Sequence, residues 1–133
     1  PLLDQGYFQV ILAITRGAVA PAAIVARELD IHRGDANVIS DCDWKDKKGE
    51  AQVLKAVAGD GEGWQLVDDL VDTGRTARIV REMVPRAHFA TIYAKPAGRE
   101  QVDTFITEVS QDTWILFPWD AESRFVQPLA AGR

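Results

Sequence analysis

The sequence predicts an α/β domain in which a parallel sheet is flanked by helices. Two observations carry this. The runs at 8–15, 64–67 and 88–94 are almost continuously apolar, as strands buried on both faces of a parallel sheet are. Two of them lead through a glycine-containing turn into a helix-like stretch. The first stretch is 19–29. In the second, Ala77, Ile79, Val80, Met83 and Val84 recur at helical spacing opposite Arg78, Arg81 and Glu82.

In chain order, residues 8–15 read as a central strand, Arg16-Gly17-Ala18 as a turn, and 19–29 as a helix with Pro21 in its first turn. That helix is apolar until Arg27-Glu28, so it is expected to be largely buried. Residues 37–40 read as the next strand. Residues 41–50 mix Asp, Lys, Trp and Gly without period. They are either a solvated charged loop or a flap whose Lys47 and Lys48 reach bound phosphates. Residues 50–58 half alternate and suit a strand beside that segment. Gly59-Asp60-Gly61-Glu62-Gly63 is a turn. Trp64 opens a buried strand that gives way to Asp68-Asp69 and a short acidic loop, and Pro85-Arg86 ends the second helix. Residues 88–94 and 102–107 read as strands. Residues 112–120 read as an aromatic-rich loop or edge segment, because Pro118 excludes a central strand.

At 133 residues, with 47% apolar and 26% charged, this is one soluble-type globular domain spanning 1–133. Twenty acids against 15 bases give a net charge of -5, which argues against a nucleic-acid partner held by bulk positive charge. The single cysteine, Cys42, has no internal partner, as in a reducing cytosol. No apolar run approaches membrane-spanning length and no signal peptide is visible; the start at Pro1 reads as a trimmed or incomplete terminus.

Residues 65–77 concentrate the chemistry: Asp68, Asp69 and Asp72, then Thr73-Gly74-Arg75-Thr76 at a helix start. Open α/β sheets bind ligands at the carboxyl ends of their strands. A helix N-terminus offers free N–H groups to a phosphate, and paired aspartates take sugar hydroxyls or magnesium. The plainer reading is a helix cap by Asp72 or Thr73 beside a solvated acid pair. Arg16, with the amides of Gly17 and Ala18, is either a plain strand-to-helix turn or a pyrophosphate cradle. Lys95, just past a strand, could be a surface charge. Trp114 fills the core or stacks on a planar base. His32 and His88 lack metal-ligand spacing and are assigned no role. There is no Walker motif, dinucleotide-binding glycine fingerprint or Ser–His–Asp arrangement.

The stretch 65–77 resembles the phosphoribosyl-pyrophosphate motif of the type I phosphoribosyltransferases. Nearly the whole chain is similar to the bacterial xanthine-guanine phosphoribosyltransferases of enterobacterial type. The similarity rests on Thr15-Arg16-Gly17, Ala26-Arg27-Glu28-Leu29, Gly59 to Gly63, Asp68 to Gly74, and Ala94-Lys95-Pro96-Ala97-Gly98-Arg99. It continues through Gln111-Asp112-Thr113-Trp114-Ile115, Pro118-Trp119-Asp120 and Gly132-Arg133.

The resemblance implies the type I phosphoribosyltransferase fold, with a flap at about 41–50 and a hood and base-binding segment at about 95–133. It implies a purine-salvage enzyme that moves 5-phosphoribose from phosphoribosyl pyrophosphate to guanine or xanthine, and also hypoxanthine, giving GMP or XMP and pyrophosphate. Mg²⁺ is the implied cofactor, with Asp69 as its ligand. Donor binding falls to Arg16, Gly17, Lys48, Asp68, Asp69, Asp72, Thr73, Gly74, Arg75 and Thr76. Base binding falls to Asp72, Lys95, Trp114 and Ile115, with Asp72 catalytic at purine N7, Lys95 at the 6-oxo group, Trp114 as the stacking ring and the Ile115 carbonyl at the 2-substituent. A cis peptide is implied between Thr15 and Arg16. A cytoplasmic homo-oligomer (tetramer or dimer) is implied, with weak peripheral association at the inner membrane.

The chain departs from the family at three places. Arg75 stands where its relatives carry glycine. Lys47-Lys48 stands in place of the flap arginine, with Lys48 taking its contact. The family's N-terminal strand and helix, part of the hood, read as missing from this sequence. The alternatives are a hypoxanthine-preferring enzyme and a non-catalytic sensor of the ribosyl donor. A sensor would lose base-reading groups or gain a basic DNA-binding module; Lys95, Trp114 and Asp72 are present and no such module exists.

Overall fold

The uncharged hexad Val10–Thr15 forms the strand β1, and the computed structural model describes the chain at residues 8–15, 17–31, 36–40 and 59–120. The other elements are α1 (Val19–Glu28), β2 (Ala36–Ser40), β3 (Trp64–Val71), α2 (Arg75–Met83), β4 (His88–Ala94), a 3₁₀ turn (Arg99–Gln101) and β5 (Thr104–Glu108). All five strands are parallel, in the order β2-β1-β3-β4-β5. Leu12 pairs with Leu66, Leu66 with Phe89, and Val71 with Ala94.

The core lies where the apolar runs predict it. Ile11, Leu12 and Ile14 of β1, Leu66 and Val67 of β3 and Phe89 of β4 are buried against Ala77, Val80 and Val84. Each large apolar side chain among them contributes about 1.5–3 kcal/mol by leaving water. The chain leaves β1 for β2 on one side and returns to β3 on the other. This puts the switch in connection direction between β1 and β3, where an open parallel sheet has a crevice at its carboxyl edge.

The expectations for α1 and for the acid pair are corrected. Helix α1 is not largely buried: Pro21 and Ala22 are its buried residues, while Val19 is 47% and Ile24 62% exposed. It packs on β1 and β3, and a helix laid on a sheet hides one stripe whatever the apolar content of the others. Its end is a reciprocal cap, with Ile31 N–H donating to Ala26 O at 2.9 Å and Asp30 N–H to Arg27 O at 3.2 Å. Asp30 takes the left-handed conformation at φ 57°. The second correction concerns Asp68 and Asp69. They do not begin a loop but lie inside β3, because the ladder to β4 runs on through Asp68–Thr91 and Leu70–Tyr93 to Val71–Ala94.

The last strand starts at Thr104 rather than 102, since the 3₁₀ turn occupies 99–101 and Val102 tucks into the core. Residues 112–120 carry no helix or strand, as Pro118 predicts. Arg81 ties these elements together, donating to Ala87 O (2.8 Å), Gln101 O (3.0 Å) and Asp103 Oδ2 (2.7 Å). Asp103 Oδ2 also accepts the Phe89 N–H at 2.8 Å. The glycine-rich turn docks on the segment after α2, with Arg86 N–H donating to Asp60 O at 2.9 Å and the Arg86 guanidinium reaching Asp60 and Glu62. His88 is structural: its Nε2 lies 2.8 Å from Thr104 Oγ1, and burial holds its pKa below the usual imidazole value. Among the described residues no helix is long and apolar enough to cross a membrane. Arg16, His32, the segment 41–58 with Lys47 and Lys48, and the predicted cis peptide lie outside the described residues.

Candidate active site

The two strand ends at the switch point meet in space. Gly17, just past β1, approaches β3 so closely that a Cβ on it would sit on the Asp69 carboxylate. The turn that offers backbone N–H groups and the strand that offers acids therefore form one surface. Half-buried Asp69 is held above the ordinary carboxylate pKa, first by desolvation. Hydrogen bonds involving Asp68 and the Leu70 N–H oppose this, and the negative charge of Asp120 adds to it. The Asp69 N–H also donates to Asp68 Oδ1 at 2.8 Å.

A partly desolvated carboxylate beside further negative charge is a hard oxygen donor of the kind that fits Mg²⁺. Among the described residues no group of three His, Cys, Asp or Glu gathers to hold a metal.

From β3 the chain turns through Asp72, Thr73 and Gly74 into α2. Gly74 adopts φ 83°, which favours glycine, and no side chain caps the helix. The cap that the plainer reading gave to Asp72 or Thr73 reduces to a long contact, Arg75 N–H to Thr73 Oγ1 at 3.4 Å. The loop is braced from the other side by Gly98, where a Cβ would meet Asp72 O at 2.8 Å and Gly74 N at 2.9 Å. Glycine there is a requirement of close approach.

Because Val71 pairs with Ala94, the next residues, Asp72 and Lys95, leave adjacent strands at the same level. Lys95 is not a surface charge. It is 5% exposed, and its Nζ lies 3.3 Å from Asp72 Oδ2. That is longer than the 2.7–2.9 Å of a tight charge-assisted bond, so the pair is a loose hydrogen-bonded ion pair that still offers a donor beside an acceptor. The other Asp72 oxygen, Oδ1, accepts from Gln111 Nε2 at 2.6 Å.

Trp114 is 67% exposed, which excludes the core-filling reading and leaves the ring free to cover a flat ligand. Ile115 follows it, half-buried. The turn before it is knit by Ser110, whose hydroxyl donates to Asp112 Oδ1 at 2.7 Å and lies 2.5 Å from Thr113 Oγ1. Beyond it, Phe117 stacks on Trp119 at 4.9 Å between centroids and tilts against Tyr93. The Phe117 N–H donates to Asp120 at 3.0 Å.

The structure thus gathers Gly17, Asp68, Asp69, Asp72, Thr73, Gly74, Arg75, Thr76 and Lys95 along one edge. Sequence reasoning gave no role to two groups that bear on them, Gln111 and Asp120. Both lie in segments that carry the family resemblance, which was the available signal.

The arrangement is that of a domain built to hold a phosphorylated sugar beside a flat base, and the chain belongs to the phosphoribosyl transferase domain family, whose sequence profile matches residues 3–125. Within it, the chain is similar to proteins named xanthine-guanine phosphoribosyltransferase. That of Desulfotalea psychrophila is 68% identical over 128 residues, covering 96% of this chain and 80% of its own length. That of Chromohalobacter salexigens is 57% identical over 122 residues, covering 92% and 75%. Among solved structures, a purine phosphoribosyltransferase from Pyrococcus horikoshii superposes with a TM-score of 0.69 at 26% identity, covering 90% of this chain and 82% of its own. A Helicobacter pylori xanthine-guanine-hypoxanthine phosphoribosyltransferase shares the fold, with a TM-score of 0.63 at 15% identity and coverage of 81% and 76%.

Proposed function

We propose that this chain transfers 5-phosphoribose from phosphoribosyl pyrophosphate to guanine or xanthine, and to hypoxanthine, giving the nucleotide and pyrophosphate in purine salvage. The observation that carries the base assignment is the Lys95 ammonium 3.3 Å from the Asp72 carboxylate at one level of the sheet. A 6-oxopurine presents the complement, an oxygen acceptor beside an N7–H donor.

In this reading the chain acts as one domain over 1–133. Its flap is at about 41–50 and its base-binding segment at about 95–133. Thr73, Gly74, Arg75 and Thr76, at the open end of α2, hold the 5′-phosphate through N–H groups and hydroxyls. Asp68 and Asp69 take the ribose hydroxyls. Gly17, with Arg16 and Lys48, binds pyrophosphate. Asp69 would hold Mg²⁺, which when bound neutralises charge building on the leaving pyrophosphate.

The ribose carbon turns oxocarbenium-like as pyrophosphate departs, and purine N9 bonds to it. Lys95 donates to the 6-oxo oxygen. Asp72, the catalytic group, accepts the N7 hydrogen bond and then its proton. Trp114 covers the ring, and the Ile115 carbonyl faces the 2-substituent. These groups contribute chiefly by orienting the reactants and by placing charge where it develops.

The presence of Lys95, Asp72 and Trp114 together favours an enzyme over a donor-sensing regulator, and the relatives' names favour guanine and xanthine over a hypoxanthine preference. The magnesium requirement, a cytoplasmic homotetramer or dimer, and weak peripheral attachment to the inner membrane complete the proposal. The test is pyrophosphate release from the donor with Mg²⁺ and each of guanine, xanthine and hypoxanthine. Turnover of guanine and xanthine is the expected result; donor binding without turnover of any base would favour the regulator.

A further inference from the structure

Gln111 bonds at both ends of its carboxamide, and the two bonds fix its sense. Its Oε1 accepts the Ala97 N–H at 3.0 Å. That N–H can only donate, so the oxygen faces Ala97 and the NH₂ faces Asp72 Oδ1, at 2.6 Å. The opposite Asp72 oxygen meets Lys95 Nζ at 3.3 Å. The Asp72 carboxylate is therefore held at two points, by donors from two different segments.

Gln111 also sits in the turn that delivers the exposed ring of Trp114, and Ala97 lies two residues beyond Lys95. One side chain thus joins the end of β3, the turn after β4 and the approach to Trp114. We propose that Gln111 is a positioning residue of the base site. It holds Asp72 as a hydrogen-bond acceptor in register with Lys95, and it acts on the base through Asp72. The inference rests on the assignment of Asp72 and Lys95 to the purine.

Two variants separate this role from a merely structural one. Gln111→Ala removes both bonds. Gln111→Glu keeps the length and an oxygen for the Ala97 N–H but sets a carboxylate against Asp72. Steady-state kinetics with guanine and the ribosyl donor, alongside thermal melting, read the difference.

Loss of one hydrogen bond to a charged group should raise the guanine KM of Gln111→Ala about tenfold, with a smaller rise in the donor KM. Gln111→Glu should be worse than Gln111→Ala for guanine while melting close to the wild type. Either of two results overturns the inference: a wild-type guanine KM in Gln111→Ala, or a Gln111→Glu enzyme as good as wild type, which would confine Gln111 to holding the Ala97 turn. Wild-type protein that turns over no 6-oxopurine would overturn the underlying base-site reading instead.

Discussion

Gly98→Ala perturbs the active-site loop through one methyl group. Gly98 has φ -112°, a conformation open to alanine, so no backbone penalty accompanies the change. The cost lies in contact alone. The new Cβ would stand 2.6 Å from Val71 Cγ2, 2.8 Å from Asp72 O and 2.9 Å from Gly74 N. Two of these atoms are backbone and cannot swing away, so the loop must back off by roughly half an ångström, an overpacking cost of about 1–3 kcal/mol. For a domain of this length that is roughly 3–10 °C of Tm. The loop that moves carries Asp72 on one side and the start of α2 on the other. Misplacement by about 1 Å can cost 10²-fold in rate, so half of that predicts a loss of about tenfold in kcat/KM. Differential scanning calorimetry and initial rates with guanine check both numbers. A variant with wild-type Tm and wild-type kcat/KM would refute the claim that Gly98 braces this loop.

Three further outcomes follow from the same geometry. Gly17→Ala, whose methyl would land on the Asp69 carboxylate, should raise the donor KM by about tenfold or more while sparing the guanine KM; equal effects on both would separate Gly17 from the donor site. Asp69 has a folded pKa raised above 3.8, first by burial. In metal-free protein its contribution to stability is therefore full below the unfolded value and is lost as pH rises through the folded one. Asp69→Asn should accordingly melt higher than wild type at neutral pH in chelator and show a weaker fall in Tm with rising pH across that window, though it should lose magnesium-dependent activity; an unchanged pH profile of Tm would contradict this. Asp103→Ala removes acceptors from Arg81 and the Phe89 N–H and should cost about 1–3 kcal/mol in urea unfolding, with Asp103→Asn milder because its carbonyl oxygen can still accept.

Apolar continuity revealed β1, β3 and β4, since strands buried on both faces need little else, and the bounds of β4 coincide with those read from 88–94. The same signal placed Asp68 and Asp69 in a loop, because charge reads as solvent. Their strand is set by pairing with β4, a partner that lies 23 residues away for Asp68–Thr91. The exposure of Val19 and Ile24 was hidden for a related reason: composition tells how apolar a helix is and not which stripe the sheet reaches. Asp72 and Lys95 were each singled out by motif, but their contact depends on the Val71–Ala94 register. The bridge from Gln111 to Asp72 spans 39 residues and has no periodicity to betray it. Motif reading found the groups with unusual local chemistry and missed the ordinary amide that orients one of them.

The central claim is that the Lys95–Asp72 pair reads an oxygen beside an N7–H. The most direct test is the ratio of kcat/KM for guanine to that for adenine, with saturating ribosyl donor and Mg²⁺. Adenine places an amino donor where Lys95 must donate, and a site built around a hydrogen bond rejects the wrong partner by on the order of 10⁴. A ratio of that size is the predicted result; adenine used within tenfold of guanine would contradict the assignment of Lys95 and Asp72 to the base.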